Sequence, residues 1–299
     1  MKNQFKYIKQ ILNKNNIKVN KYTIKGKSTI VNTSSGNYVI KENKGTNIYN
    51  YLLSRNFKYI PRILDKDNNY LLIEYLTDTK YDKDQRAFDL IHLTALLHSK
   101  TTYYKEINYD ENKKLYESIK NKINYINNYY LDLINNIESK IYMSPYEYLI
   151  ARNISKILSC IFYCNKELDK YYEIVKDKKR KRVVTLHNNL KLDNIIKNEN
   201  TYLISWDKSK VDLPIYDLVN FYNRYSLYFD YTVLFNEYER IFPLLEEEKI
   251  LLKVLISIPD KIENNFKEYE MVKKARELID KIYKTEKLLT SKEKETTST

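Results

Sequence analysis

Two adjacent stretches near residue 200 have the layout of a centre for phosphoryl transfer. The first is HNNLKLDNII (187–196), in which His187 begins a turn and Asn194 follows seven residues later. The second is TYLISWDKSKVDLPIYDL (201–218), a strand-like segment that leads into an acidic loop. Phosphoryl transfer uses one carboxylate to take the proton of the attacking hydroxyl, and an Asn with a second carboxylate to hold Mg²⁺ on the phosphates. These stretches therefore form the candidate centre of the chain.

Both carboxylate positions of that layout hold other residues. Asn189 stands where the proton acceptor belongs, and an amide accepts no proton at neutral pH, a loss of about 10²–10⁴ in rate. Ser205 stands at the second position and offers a neutral hydroxyl, whereas Mg²⁺ prefers carboxylate and phosphate oxygens. Asp193 and Asp207 are the carboxylates that could substitute. Asp207 is the better candidate, because residues two apart on a strand share a face, although displaced by roughly 6–7 Å.

Three further residues complete this candidate centre. The β-branched run VVTL (183–186) predicts a buried strand that delivers His187 into a tight turn, where we expect the imidazole to bond nearby backbone in a structural role. Asn194 keeps an amide oxygen of the kind that binds Mg²⁺. Asp217 begins an apolar helix, and we expect a buried carboxylate there that caps this helix and braces the central loop.

The first 75 residues predict a small β-rich lobe. An amphipathic helix opens the chain, marked by apolar side chains at helical spacing: Phe5, Ile8, Ile11 and Leu12. Residues 20–42 then contain three strand-like segments, YTI, STIVNT and NYVIKE, separated by turns at Gly26 and at Ser34-Ser35-Gly36. Antiparallel hairpins are the arrangement that such short turns favour.

Lys41 is the candidate phosphate-binding residue of this lobe. On the third strand it would stand at the wall of a cleft, where phosphoryl-transfer enzymes place the Lys that contacts nucleotide phosphates; the alternative is an ordinary solvent-exposed lysine. The helix that follows, TNIYNYLLSRNF, has no acidic residue to pair with Lys41, and Glu42 points to the opposite face. Of three glycines, only Gly26 lies in the hairpin that would cover the phosphates. The missing acidic partner and the scarcity of glycine both argue against tight binding of a nucleotide.

Helices are predicted for most of the remaining sequence. NYLLIEYLTD (69–78) predicts a short strand and a linker to a second lobe, and AFDLIHLTALLHSK (87–100) predicts a core helix in which His92 and His98 serve packing. Residues 102–180 predict two long helices, since Ile and Leu recur at three- and four-residue intervals on either side of a Ser-Pro pair.

We divide the chain into three parts. The β-rich lobe covers residues 1–76, the helical lobe with the candidate centre covers 77–285, and a polar tail at 286–299 is predicted to be disordered. Within the helical lobe, residues 219–285 predict about three amphipathic helices, broken near Pro243 and Pro259.

The net charge of +13 raises the possibility of nucleic-acid binding. Lysines are scattered along nearly every predicted helix, however, and an electrostatic footprint requires clustering, so we interpret the charge as composition bias. The run KDKKRKR (176–182) is the one dense cluster, and it is either a solvated linker or a contact for an anion or a partner.

Two cysteines and the lack of apolar spans bear on the compartment. Cys160 and Cys164 share a helix face, but no nearby His or second Cys pair completes a metal site, so we interpret them as thiols in a reducing environment. No apolar stretch approaches the roughly 18–20 residues of a membrane span, and residues 1–16 have no signal-peptide core. These features predict a cytoplasmic protein.

The motifs HNNLKLDN, TYLISWD and DLPIYDL resemble those of the aminoglycoside-phosphotransferase and choline-kinase superfamily, namely His-x-Asp-x-x-x-x-Asn followed by Ile-Asp-Trp-like and Pro-x-x-Asp-Leu elements. SPYEYL (144–149), DLPIYDL and PLLEEEKILLKVLISIP (243–259) are more narrowly similar to the bacterial spore-coat CotS-type family. The resemblance spans residues 20–285. It implies nucleotide and metal positions at Lys41 and Asn194 and a bracing Asp at Asp217, with departures at Asn189 and Ser205.

The resemblance implies a two-lobed α+β fold of the protein-kinase type, with Mg-ATP as the cofactor. Because both carboxylate positions are substituted, we predict a catalytically inactive, kinase-like protein that acts by binding or assembly, deposited on a spore coat with other coat proteins as partners. The alternative is an active ATP-dependent small-molecule phosphotransferase that uses a displaced carboxylate such as Asp207. A nucleic-acid binder is a third possibility that rests on charge alone.

Overall fold

The computed structural model describes residues 10–26, 28–34, 36–43, 47–67, 69–263 and 266–297. The opening helix predicted from the apolar spacing is seen at 10–14 (α1), while Phe5 and Ile8 lie outside the described residues. Ser35 of the second predicted turn also lies outside them.

The N-terminal lobe is an antiparallel sheet with one short helix. Its strands are β1 (Val19–Lys25), β2 (Ser28–Thr33), β3 (Gly36–Glu42), β4 (Ile63–Lys66) and β5 (Tyr70–Glu74), and its helix is α2 (Ile48–Ser54). The five strands lie in the order β1-β2-β3-β5-β4. Gly26 ends β1 with φ +56°, a left-handed conformation that favours glycine, and this permits the tight turn into β2.

The two faces of this sheet pack against different partners because side chains alternate along each strand. Val31 and Ile40 are buried with Ile11 and Leu12 of α1 on the outer face. Val39 faces the other way and packs against the main core of the molecule. Lys41, two residues further along β3, therefore lies on the inner face, toward the helical lobe.

The C-terminal lobe is mostly helical. Its helices are α3 (Lys83–Thr101), α4 (Tyr109–Glu138), α5 (Pro145–Val175), α6 (Ile215–Tyr225), α7 (Tyr231–Ile241), α8 (Glu246–Ser257) and α9 (Glu268–Thr297). The predicted start at the Ser-Pro pair is confirmed: Ser144 caps α5 in a capping box with Glu147, and Pro145 occupies the first helical position. The pattern of a small antiparallel sheet followed by a larger helical part confirms the two-lobed α+β fold class.

Short strands interrupt the helical lobe and carry the candidate centre. They are β6 (Tyr103–Glu106), β7 (Arg180–Leu186), β8 (Ile195–Lys197), β9 (Thr201–Leu203) and β10 (Lys210–Asp212). One sheet has the order β10-β7-β6, and β8 pairs with β9. The prediction that all of 102–180 is helical is wrong at β6, because Tyr103–Glu106 pairs with Arg180–Val183, a partner some 80 residues along the chain.

The end of the chain also differs from its prediction. α9 continues through most of the segment at 286–299 for which we predicted disorder, and it ends at Thr297. Buried Ile282 and Leu288 anchor the helix to the core, and the Lys- and Glu-rich sequence that follows has high helix propensity. Because this segment continues a helix that is already anchored, its high helix propensity outweighs the polar composition from which we predicted disorder.

A single apolar core crosses from one lobe to the other. Phe57, which follows α2, is fully buried, and its ring meets the Trp206 ring edge-on at 6.1 Å. Trp206 in turn meets His187 at 4.7 Å between ring centroids. The backbone N–H of Leu203 donates to the Tyr59 carbonyl at 2.8 Å and adds a polar link. The lobes are thus joined by packing as well as by the linker.

Within the described residues, no helix is both long and apolar enough to cross a bilayer.

Candidate functional site

The centre of the site is the loop that leaves β7. Strand β7 is buried from Val183 to Leu186, because a run of β-branched and aliphatic residues fits between β6 and β10. The chain then turns sharply: Asn188 has φ +54°, a left-handed conformation that Asn tolerates better than most residues. This turn places Asn189 after the strand, where it is half-buried.

His187 lies at the base of this loop as a fully buried side chain. Its Nε2 donates to the Ile204 carbonyl at 2.8 Å, which ties the loop to the end of β9. Burial lowers the pKa of the imidazole, with the charge of Asp217 opposing this shift and that of Lys41 adding to it. The ring is therefore neutral at physiological pH, with its one proton on Nε2, which donates to the Ile204 carbonyl.

Asn194 closes the loop from its other end. Its Nδ2 donates to the backbone carbonyl of Asn189 at 2.7 Å, so the amide oxygen takes no part in this bond. The backbone N–H of Ile204 donates to the Asn194 carbonyl at 2.9 Å. Asn194 is 7% exposed and ends a 3-10 turn, Leu192–Asn194. These bonds fix the relative positions of Asn189 and Asn194.

Asp217 holds the same loop from the helix behind it. The side chain is fully buried, and its oxygens accept from the backbone N–H groups of His187 at 2.8 Å and Asn188 at 2.7 Å. A third contact, at 3.3 Å, comes from Nε2 of His98 on α3. The expectation that Asp217 caps α6 is wrong, since its hydrogen bonds go to the loop and to α3, while Pro214 begins the helix without a side-chain cap.

Ser205 and Asp207 lie on a turn rather than on a strand. β9 ends at Leu203, Ser205 has φ +68°, and residues Trp206–Lys208 form a 3-10 turn. The prediction that Ser205 and Asp207 lie two apart on one strand face is therefore wrong, and its 6–7 Å offset does not apply. Ser205 is half-buried and Asp207 is exposed.

Lys41 and Asp207 lie near enough for their charges to interact. Burial lowers the pKa of the Lys41 amine, and the negative charge of Asp207 opposes that change. Burial also raises the pKa of the Tyr49 hydroxyl on α2, and Asp207 again contributes. One carboxylate from the helical lobe thus acts on two side chains of the β-rich lobe. None of the ion pairs within the described part of the chain involves Lys41.

Three residues of this region were not identified from the sequence. Tyr49 lies on the helix in which we looked for an acidic partner of Lys41, and no motif marked it in the sequence. In the structure its side chain is buried together with Leu52. His98 was assigned to packing, whereas its Nε2 contacts Asp217 and its Nδ1 forms a hydrogen bond with Tyr238 Oη at 2.6 Å. Arg86 on α3 carried no signal in the sequence.

Arg86 attaches α3 to the far side of the loop. Its Nε donates to the Leu192 carbonyl at 2.7 Å, and its Nη2 donates to the Ile195 carbonyl at 2.5 Å. The same Nη2 pairs with Asp78 of the linker between the lobes at 2.6 Å. The guanidinium fork can bind several acceptors at once, so this residue joins the linker, α3 and the loop.

The side chains of the site suit a phosphate more fully than a metal alone. The described residues contain no group of three His, Cys, Asp or Glu side chains that could hold a metal ion. Mg²⁺ is, however, usually bound through one or two protein oxygens together with substrate phosphates and water. The amide oxygen of Asn194 and the exposed carboxylate of Asp207 fit that requirement, and the Lys41 amine fits the phosphates. Asp193 is exposed on its 3-10 turn.

The basic run at 176–182 is largely paired with acidic residues of the same chain. From Arg180 it belongs to β7, so it is not simply a linker. The pairs are Lys176–Glu173, Lys178–Glu247, Arg180–Glu106, Lys181–Glu111 and Arg182–Glu248. The Arg182–Glu248 pair is nearly buried. The Arg182 guanidinium also stacks over the Phe242 ring, 4.2 Å from its centroid. These carboxylates compensate much of the charge that the run would offer to a polyanion.

No known family model and no curated protein matches this sequence. Solved structures do match. An aminoglycoside phosphotransferase from Alicyclobacillus acidocaldarius aligns with a TM-score of 0.66 at 9% identity, over 94% of this chain and 93% of that chain. A spectinomycin phosphotransferase bound to AMP aligns with a TM-score of 0.51 at 13% identity, over 90% and 94%. A choline kinase from Streptococcus pneumoniae aligns with a TM-score of 0.48 at 16% identity, over 97% of this chain and 99% of that chain.

The likenesses to the two phosphotransferases establish the fold. The chain has the two-lobed, protein-kinase-like architecture of the aminoglycoside phosphotransferases along nearly its whole length. The resemblance seen in the sequence motifs is thereby confirmed at the level of the fold.

Proposed function

We propose that this protein is a kinase-like nucleotide-binding protein without efficient phosphoryl transfer, and that it acts by binding or assembly. The observation that carries the proposal is the bond from Asn194 to the backbone of Asn189. That bond fixes the backbone at 189, and the motif that this loop resembles has its general base at this position, where this chain has an amide. An amide cannot take the proton of an attacking hydroxyl, and general-base help accounts for about 10²–10⁴ in rate.

Three side chains support retention of a nucleotide. Lys41 is a half-buried amine outside every ion pair of the described residues, and a buried cation without a partner favours an anionic ligand. Asn194 and Asp207 would supply oxygens to the Mg²⁺ that accompanies a nucleotide. Bound Mg²⁺ would compensate phosphate charge, while Lys41 orients the phosphates from the opposite lobe.

A second candidate function is an active small-molecule phosphotransferase that uses Asp207. One observation favours it: Asp207 is the carboxylate whose charge acts on both Lys41 and Tyr49. A carboxylate near the phosphate-binding amine could hold the metal in place of Ser205. The base position would still lack a carboxylate, and for this reason we rank this function second.

Calorimetric titration with Mg-ATP and release of γ-phosphate from radiolabelled ATP test the proposal together. We expect the wild type to bind Mg-ATP and to release phosphate no faster than a protein-free blank. Lys41→Ala should weaken binding at least tenfold, because it removes the only cation assigned to the phosphates. Lys25→Ala is the matched control on β1, where the lysine is exposed, and it should bind as the wild type does.

A restored variant separates the two functions. Asn189→Asp with Ser205→Asp returns both carboxylates, and we expect phosphate release to rise above the blank. Turnover by the wild type that Asp207→Asn abolishes would establish the second function instead. Absence of any heat on titration with Mg-ATP would remove nucleotide binding from the proposal.

The setting we propose is a spore coat, where the chain would assemble with other coat proteins. Its support is the similarity of SPYEYL, DLPIYDL and the segment at 243–259 to the spore-coat family. A fluorescently tagged chain in a spore-forming bacterium should collect at the spore surface, and a uniform signal in the surrounding cell would contradict this setting.

A further inference from the structure

A cavity lies on the helical lobe between α5, α9 and the end of α8. Its volume is about 230 Å³. Apolar and aromatic groups form most of its wall, including Tyr163, Ile282 and Leu289, and Cys160 and Ser257 contribute polar atoms. None of its lining residues belongs to the cleft that contains Lys41 and Asn194, so it is a separate feature of the molecule.

Ser257 gives this cavity an unmet hydrogen-bonding group. It is the last residue of α8 and is 5% exposed. Its Oγ is buried and has no hydrogen-bond partner among the described residues. Serines at such positions usually bond to a carbonyl of the preceding turn. A buried hydroxyl without a partner is unfavourable, and a ligand with a donor or an acceptor would relieve this.

The mouth of the cavity carries compensated charge. Lys156 and Glu286 form an ion pair there, and the Lys156 amine also lies over the Tyr283 ring at 5.1 Å. A charged ligand would have to break this pair to find a counter-ion. An uncharged ligand would leave it intact, so the charge distribution favours a neutral molecule.

We propose that this cavity binds an uncharged, largely apolar small molecule with one hydrogen-bonding group, of the size of a substituted phenol. An apolar cavity of about 150 Å³ is known to hold benzene. The 230 Å³ here accommodates one aromatic ring with a short substituent. The ring contacts Tyr163, Ile282 and Leu289, and its hydroxyl meets Ser257 Oγ. This site is independent of the nucleotide-binding function proposed above.

Cys160 provides a native reporter for this site. It lines the cavity, is half-buried, and donates through Sγ to the Ser257 carbonyl at 2.9 Å, while Cys164 is buried. A molecule that fills the cavity covers this thiol. We expect millimolar 4-ethylphenol to slow alkylation of Cys160 by iodoacetamide at least threefold. Ethylbenzene, which lacks the hydroxyl, should protect less, and Ser257→Ala should remove the difference between the two probes.

Two exposed serines on α5 supply a blocking variant and its control. Ser159 lines the mouth of the cavity, and Ser155 lies one turn earlier outside it. Ser159→Trp should abolish protection by 4-ethylphenol, whereas Ser155→Trp should keep it, and both substitutions at exposed positions leave the fold intact. Equal protection by both probes in the wild type, protection that persists in Ser159→Trp, or no protection by either probe would each overturn the proposal.

Discussion

The carboxylate of Asp217 connects three parts of the helical lobe. It accepts two backbone N–H groups of the loop after β7 and contacts His98 on α3, and it is fully buried. Hydrogen bonds to a buried charge are among the stronger single contributions to stability, and a lost acceptor leaves a donor without a partner. The conformation of the loop therefore depends on this one side chain.

Asp217→Asn should lower the free energy of unfolding by about 2–4 kcal/mol. An amide has one acceptor oxygen where the carboxylate has two, so one of the two backbone N–H groups would meet an NH₂ donor and lose its acceptor. Urea denaturation followed by circular dichroism measures the change. Asp193→Asn is the matched control, an exposed aspartate of the same loop, and its effect should stay within about 0.5 kcal/mol. Equal stabilities for the two variants would contradict the role given to Asp217.

Residue types at the site could be assigned from the sequence, whereas their partners could not. Spacing within the motif identified Asn189 and Asn194 as candidates, whereas Lys41 and Asp217 were identified from a predicted strand, a predicted helix start and the resemblance to the superfamily. The bonds to His98 and Arg86 were not predicted, because these residues lie on α3, more than 100 residues along the chain from their partners Asp217 and Leu192. The turn at Ser205 was mistaken for a strand, because one left-handed residue carries no periodic signal.

Helices α3 and α7 are joined by a partly buried polar cluster. Oε1 of Glu237 lies 2.6 Å from Nδ1 of His92, and both Glu237 oxygens accept from Arg240 at 2.8 Å. Hydrogen bonding from Arg240, followed by His92, lowers the pKa of Glu237 to about 2 from 4.5. The Glu237 side chain is 8% exposed, whereas its partner Arg240 is 65% exposed, so solvent screens this pair in part.

The depressed pKa of Glu237 predicts a loss of stability in acid. Its stabilising effect is complete above pH 4.5 and is lost as the pH falls toward 2, because protonation then favours the unfolded chain. The loss amounts to no more than about 3 kcal/mol. Urea denaturation from pH 6 to pH 2 should show wild type more stable than Glu237→Gln at pH 6, with this difference closing in acid. A constant difference would exclude the linkage.

Elements with local signals were predictable, and elements formed by distant pairing were not. The hairpins β1 to β3, the core helix α3 and the start of α5 follow from alternation, helical spacing and a Ser-Pro cap. Strand β6 has four exposed residues, YYKE, with no pattern of their own, and it forms because β7 offers an open edge. The continuation of α9 likewise depends on its anchorage in the core.

At the scale of the whole molecule, the two lobes share one core. Phe57 from the β-rich lobe, Trp206 from the turn after β9 and His187 from the central loop are in ring-to-ring contact. All three are at most 2% exposed. A cleft site built from both lobes requires their relative position to be fixed, and this contact supplies part of that restraint.

Unfolding of the two lobes should therefore be cooperative. Trp206 is the only tryptophan of the chain, so its fluorescence reports on the junction. We expect its urea transition to coincide with the loss of helical circular dichroism, and Phe57→Ala to shift both by about 3–5 kcal/mol. Leu53→Ala, at a 55% exposed neighbour on α2, is the control and should shift neither. Two separate transitions would mean that the lobes unfold independently.

Ser205 holds a backbone conformation that its own side chain does not favour. Left-handed φ values are reached most easily by glycine, and next by asparagine and aspartate. Drift under selection for folding alone would thus replace this serine with one of those residues. Serine retained at 205 among related sequences would indicate that its hydroxyl is needed, whereas a mixture of Asn, Gly and Asp there would indicate selection for the backbone conformation alone.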